Sequence, residues 1–341
     1  MQLGVFSFGD NSVDATTGKM HPTETAVSNM LERAKLADEV GLDYFGVGEH
    51  HRPDFPISSP AVMLGAIAAV TKNIRIGSSV TVLSTEDPVR VFQQFATIDL
   101  ISKGRAEITI GRGSFIESYP LFGEKLDDYN ELFEEKVNLL LQLNRENPIT
   151  WSGKFRPALD AASVWPRPFG EKLDIWIGTG GTPESSARAG RLGQNAIYAI
   201  IGGYPARFAP LLDYYRANAA AAGHNVAQLK VGIAGMGLVG DDGKQTKETM
   251  YASWIQGMRK IAAERGFAEP DHASWQAQAN GDGAYLVGEP DEIVERIGRL
   301  HESMAYDRHI LQMDIGNTDH AAVMRSIELL GTKVLPQLKG L

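Results

Sequence analysis

The chain contains no cysteine among its 341 residues. That removes disulfides, thiolate metal sites and cysteine nucleophiles from consideration. A surplus of cations is missing too: 33 Lys and Arg stand against 42 Asp and Glu, a formal charge of −9. Binding a phosphate backbone needs the opposite balance, so nucleic acid is not an expected partner. An acidic surface still holds an anion locally where one arginine and a helix N-terminus converge. No apolar run reaches membrane-spanning length. The opening MQLGVFSFGDNSVD lacks the basic and then apolar segments of a secretory signal, so the expected compartment is the cytoplasm. Gly4 and Gly9 in the first β-rich run do not make a G-x-G-x-x-G turn, which weakens a Rossmann-like pair of domains.

What the chain does have is a regular alternation. Apolar, β-rich runs at 3–8, 44–50, 74–83, 105–111, 173–178, 195–201, 229–239 and 309–315 predict eight strands. Amphipathic stretches at 23–40, 59–70, 88–100, 129–144, 183–192, 205–222, 244–265, 290–303 and 320–338 predict helices, with Thr23 as the N-cap of the first. Residues 149–170, rich in Trp, Pro and Gly, predict an inserted hairpin or loop after the fourth helix. Residues 267–284, polar and rich in Gly and Ala, predict a lid-like insertion before the eighth strand. No linker divides the chain. The expected fold is α/β: a single (β/α)8 TIM barrel over residues 1–341.

Strand phase adds detail. Phe45 and Val47 alternate with Gly46 and Gly48, so the apolar pair packs on helices while Tyr44, Gly46, Gly48 and His50 face the barrel axis. Glycines there leave room for a bulky ligand or for large neighbours. By the same phase Arg75 and Glu107 point inward on adjacent strands and should pair in the lower barrel, a structural ion pair.

The C-terminal strand ends, where barrel sites are built, carry GEHH at 48–51, GRG at 111–113 and IGTGGTPESS at 177–186. Glycines before a helix that opens on proline suit an anion beside Gly180, Gly181 and Thr182. They equally suit a plain tight turn. Arg112 would be the charged partner of the same anion, or one side of a structural salt bridge. His50 and His51, adjacent on a strand, point to opposite faces and do not readily share an ion. The other histidines fall away from strand C-terminal ends, so no metal site is expected. His50 is the pocket-facing candidate, catalytic or merely hydrogen-bonded, and His51 with Glu49 should brace the loop.

Together, GVGEHH at 46–51, IGSSVTVLSTEDP at 76–88, SKGRAEITIGRG at 102–113 and IWIGTGGT at 175–182 resemble the bacterial luciferase-like flavin monooxygenases, in order and in spacing. The tail segments 312–316 and 326–338 continue the likeness, which covers nearly the whole chain. The resemblance implies a barrel that binds FMN at its C-terminal face, with Arg112 and the backbone of Gly180, Gly181 and Thr182 on the phosphate. Gly113 completes the arginine turn. Asn130 stands where some relatives place a second basic residue, and Gly111 where some luciferases have a cysteine. A non-prolyl cis peptide at Ser79–Val80, against the flavin ring, is also implied. His50 would stand near the flavin's reactive edge, where an imidazole takes or gives a proton near neutral pH.

Three functions compete at this point. The first is a two-component monooxygenase that receives reduced FMN from a flavin reductase and uses O2 on a small organic substrate, lined by Phe6, Phe8, Phe115 and Trp254. The second is hydride transfer with the deazaflavin F420 on the same barrel. The third is a flavin-binding protein without catalysis. The resemblance further implies a homodimer.

Overall fold

The protein is described by a computed structural model that places every residue except Ala15, Ser114 and Phe267. Phe267, the first residue of the expected lid, therefore lies outside the described residues. Eight parallel strands form a closed barrel in sequence order: β1 (Gln2–Ser7), β2 (Tyr44–Val47), β3 (Arg75–Ser78), β4 (Ala106–Gly111), β5 (Asp174–Thr179), β6 (Asn195–Ile200), β7 (Val231–Val239) and β8 (Arg308–Gln312). Pairing of Gln2 with Arg308 and of Phe6 with Gln312 joins β8 back to β1.

The helices between them are α1 (Thr23–Glu39), α2 (Pro60–Val70), α3 (Pro88–Ser102), α4 (Tyr129–Leu143), α5 (Pro183–Arg191), α6 (Ala209–Ala221), α7 (Gly243–Arg265), α8 (His272–Ala279), α9 (Pro290–Met304) and α10 (His320–Leu329). Local chemistry sets several of their starts. Asp87 accepts the backbone N–H groups of Val89 and Arg90 at 2.8 and 3.1 Å, with Pro88 in the first turn of α3. Thr182 caps α5 in the same way through Ser185. Thr23 is not the cap expected of it: Pro22 holds that position, and Thr23 is already helical.

Packing follows the period-2 phase. Phe45, Val47, Ile76, Ile108 and Ile110 join the main core between barrel and helices. Tyr44, Trp176, Ile197 and Ile310 fill the barrel itself, against Phe6 and Ala234. Below them Glu107 accepts from both terminal nitrogens of Arg308, at 2.6 and 3.0 Å, and from Arg75. Burial pushes the Glu107 carboxyl up, but the two guanidiniums outweigh it and hold it below the usual range. Arg308 lies between the rings of Tyr44 and Trp176, 4.6 and 4.4 Å from their centroids. Removing the carboxylate strands a buried cation. Glu107→Ala should therefore cost about 3–5 kcal/mol in urea unfolding; a cost near zero would mean that solvent reaches Arg308.

Two insertions depart from the simple repeat. Residues 149–170 carry an antiparallel hairpin, Ile149–Trp151 with Leu159–Ala162. The 267–284 segment is not a loose polar lid, because it contains α8, whose Trp275 is 2% exposed. Its ring lies 5.1 Å from Trp254 and 5.6 Å from Tyr285. A short strand, Leu286–Gly288, then adds to the far end of β7. Truncating that anchor empties the cluster, so Trp275→Ala should lose about 3–5 kcal/mol of stability, read as a lower melting temperature. Among the described residues no helix is long and apolar enough to cross a membrane.

Candidate active site

A cavity of about 380 Å³ opens at the C-terminal end of the barrel. Its wall is largely apolar: Phe6, Phe8, Phe55 and Phe115 on one side, Ile197, Ile201 and Met236 on the other. Ser79, Val80, Gly111, Arg112, Gly113 and Gly180 line it as well, so most of the residues singled out in the sequence converge here. Gly46 and Gly48 serve neighbours rather than a ligand directly: a Cβ at Gly46 would strike Ser79 and Phe6, and one at Gly48 would strike the Phe8 ring. The peptide bond between Ser79 and Val80 is cis, and β3 is interrupted there before resuming as Thr81–Val82. Val80 projects over Gly111, where a Cβ would come within 2.8 Å of Val80 Cγ2. Any larger residue at 111 would displace this cavity wall.

His50 is 8% exposed and boxed by aromatic rings. Phe8 stacks on it at 4.6 Å between centroids, Phe115 meets it edge-on at 4.5 Å, and Phe55 lies at 4.9 Å. Burial, then the charges of Arg52, His51 and Arg265, lowers its pKa to about 3, and Asp54 opposes them. The imidazole is therefore neutral at physiological pH. His51 behaves oppositely. It bonds Glu49 Oε1 at 3.0 Å, and that bond raises its pKa against the pull of burial. The other Glu49 oxygen accepts the Val82 N–H at 2.9 Å, so this pair braces the strand end.

Across the cavity Arg112 donates to Asn130 Oδ1 at 2.7 Å and to the Ser185 hydroxyl at 3.0 Å. Its guanidinium also lies 4.9 Å from the Tyr129 ring centroid. Tyr129 donates to the Gly113 carbonyl and Tyr119 to the Arg112 carbonyl, both near 3 Å, which fixes the turn. Arg112 thus stands beside the first turn of α5, where the helix dipole favours an anion, although Pro183 has no N–H and that of Ser185 is taken by Thr182. Gly180 has open space where a Cβ would be. Gly181 and Thr182 complete the turn without lining the cavity. The arginine, the hydroxyl, the helix start and the apolar slot fit a planar cofactor that ends in a phosphate.

Three features differ from the sequence expectation. Trp254 does not line the cavity; it faces α8 within the Trp275 and Tyr285 cluster. Asn130 offers an oxygen to Arg112 and so orients that residue rather than replacing a missing cation. The cover over the cavity comes from α7, not from 267–284. Ile261 lines it, Glu264 bonds Arg52 at 2.7 and 2.8 Å, Lys260 bonds Asp54 at 2.9 Å, and Arg265 lies 4.4 Å from the Phe115 centroid. Ser185 and Tyr129, which hold Arg112, were not singled out in the sequence; Ser185 was visible as a hydroxyl in the opening turn of α5, and Tyr129 carried no local signal.

Residues 1–307 match the model of the luciferase-like monooxygenase family. Limonene 1,2-monooxygenase of Rhodococcus erythropolis is 24% identical over 321 residues, 92% of this chain and 82% of that protein. The F420-dependent glucose-6-phosphate dehydrogenase of Nakamurella multipartita is 26% identical over 333 residues, 92% and 93% of the two chains. Among solved structures, the oxygenating constituent of 3,6-diketocamphane monooxygenase from Pseudomonas putida, a Type II Baeyer–Villiger enzyme in complex with FMN, superposes with a TM-score of 0.78. It shares 19% identity over 99% of this chain and 98% of its own, a likeness of fold. The chain belongs to the luciferase-like monooxygenase family and is a flavin- or deazaflavin-dependent oxidoreductase.

Proposed function

We propose that the chain is a monooxygenase that takes reduced FMN from a separate flavin reductase and uses O2 to oxidise a small apolar substrate. The observation that supports this reading best is the polarity of the cavity: an anion seat at Arg112, Ser185 and the start of α5 at one end, and a neutral His50 inside an aromatic box at the other. FMN, when bound, supplies the redox chemistry with O2. Arg112 and the backbone at Gly180 would hold its phosphate, with Gly181 and Thr182 shaping the turn behind it. Phe8, Phe55, Phe115 and Ile261 exclude water from the reacting end. His50 holds or moves a proton at a ring nitrogen.

Charge around the anion seat argues for FMN over F420. Asp127, Asp128 and Glu131 flank Asn130 in the chain, and Glu184 stands in the first turn of α5. Asp128 and Glu131 are shared with Lys154 at 3.8 and 2.7 Å, so Asp127 and Glu184 are the carboxylates that would disfavour a tail bearing several carboxylates over one phosphate pinned by Arg112. A homodimer belongs to the same proposal. Leu100 and Ile101 on α3, with Trp165 and Phe169 bonded against that helix, stay exposed and offer a second copy an apolar face.

The test supplies enzymatically reduced FMN and isotopically heavy dioxygen with a panel of apolar carbonyl compounds and alkenes. One heavy oxygen atom in a product is the expected result. Hydride transfer to or from F420 without oxygen uptake would replace this reading with the deazaflavin one. Flavin binding with neither activity would leave a binding protein.

A further inference from the structure

Glu117 places one carboxylate oxygen, Oε1, 3.9 Å from Nδ1 of His50. That same oxygen is buried and has no hydrogen-bond partner. A buried acceptor atom without a donor is costly, and this one faces the ring whose role the cavity makes central, while the Glu117 side chain as a whole is 25% exposed. Among the described residues Glu117 is the only carboxylate within ion-pair distance of His50. The charges that act most on the ring are Arg52, His51 and Asp54 from the strand-end loop and Arg265 from α7, and the Glu117 charge also acts on the neighbouring His51. Arg52 is itself committed to Asp54 and Glu264. These surroundings keep the ligand-free ring neutral, and Glu117 is the group placed to stabilise it when it takes a proton.

We propose that Glu117 is the positioning residue of His50: it keeps the ring proton on Nδ1, leaves Nε2 to the bound reactants, and stabilises the imidazolium. The proposal rests on reading this cavity as the active site. A separation of 3.9 Å exceeds the usual N–H···O length of about 2.7–3.2 Å, so the two groups face each other without a hydrogen bond. Catalytic hydrogen bonds commonly tighten once a site is filled. The route is short. Glu117 lies two residues beyond Phe115, whose ring already rests against His50, and immediately before the short helix Ser118–Leu121. The proton balance is simple. Nε2 accepts a proton from a bound group, the ring becomes a cation with N–H on both nitrogens, and Nδ1–H donates to the Glu117 carboxylate. Return of the Nε2 proton restores the neutral ring.

The experiment compares wild type with E117Q, E117A and E117D. Nitrogen NMR of the His50 ring in the ligand-free protein reads the tautomer without any turnover. The wild-type proton should sit on Nδ1, because the carboxylate field favours it there, and should move to Nε2 in E117A. Turnover with reduced flavin should fall about 10–100-fold in E117A, with flavin affinity unchanged and partial rescue in E117D. Without the carboxylate the imidazolium is less stable, so the acid limb of kcat, which reports the loaded enzyme, should move to lower pH in E117Q. An identical tautomer and an identical kcat profile in E117A would overturn the proposal. A tautomer that moves in a protein that never incorporates oxygen would uphold the pair and overturn the monooxygenase reading instead.

Discussion

His50→Ala is expected to lower turnover by about 10²–10⁴-fold while leaving FMN affinity nearly unchanged. The two effects separate because His50 follows β2 inside an aromatic box, whereas Arg112 follows β4 and bonds Ser185 at the start of α5. The ring is held by three aromatic neighbours, with its pKa lowered to about 3 by burial first and the nearby cations second. A neutral imidazole accepts a proton, so the chemistry needs no prior deprotonation at pH 7. The sign is testable: kcat/KM, which reports the free enzyme, should stay flat through the usual imidazole range near pH 6.5. A limb there that vanishes in His50→Ala would show a solvated ring and would remove the aromatic box from the explanation. Full activity in His50→Ala would return the residue to a structural role.

Arg112→Ala carries the second large effect. Each hydrogen bond to a charged group contributes about 1.5–3 kcal/mol. Loss of the guanidinium should therefore weaken FMN by about 10–100-fold. Riboflavin, which has no phosphate, should bind the wild type more weakly than FMN does, and should bind Arg112→Ala about as well as the wild type. The gap between the two ligands is the informative quantity. Equal losses for both would mean that Arg112 holds the turn, through Asn130 and Ser185, rather than the phosphate. Arg112→Lys should restore only part of the affinity, since a point charge replaces a planar fork.

Much of the barrel could be read in advance because a strand repeats every two residues. Phase alone paired Arg75 with the buried Glu107 and sent Phe45, Ile76, Ile108 and Ile110 to the helices, although Arg75 sits at the barrel's lower edge, 30% exposed and shared with Asp174. Arg308 was out of reach. It stands one residue before the expected eighth strand, and its role depends on barrel closure against β1, which joins residues about three hundred apart in the chain. Trp254 shows the limit for helices. Its helix α7 turns Ile261 toward the cavity and Trp254 toward α8, and only the packing of Trp275 decides which face is which. Polar composition over 267–284 suggested a loose lid, but a single tryptophan anchors that segment, and the ion pairs that cover the cavity lie in α7 instead. At the site, Arg112, His50 and the 180–182 turn were visible because glycines and lone charges at strand ends are uncommon without a cause. Tyr129, which frames Arg112, carried no such mark, and Ser185 was visible only as a hydroxyl in the opening turn of α5.

Anaerobic titration of the protein with reduced FMN and with F420, in competition, addresses the cofactor directly. Reduced FMN should displace F420, and the preference should shrink in Arg112→Ala. Tighter binding of F420, unaffected by Arg112→Ala, would contradict both the phosphate seat and the monooxygenase built on it.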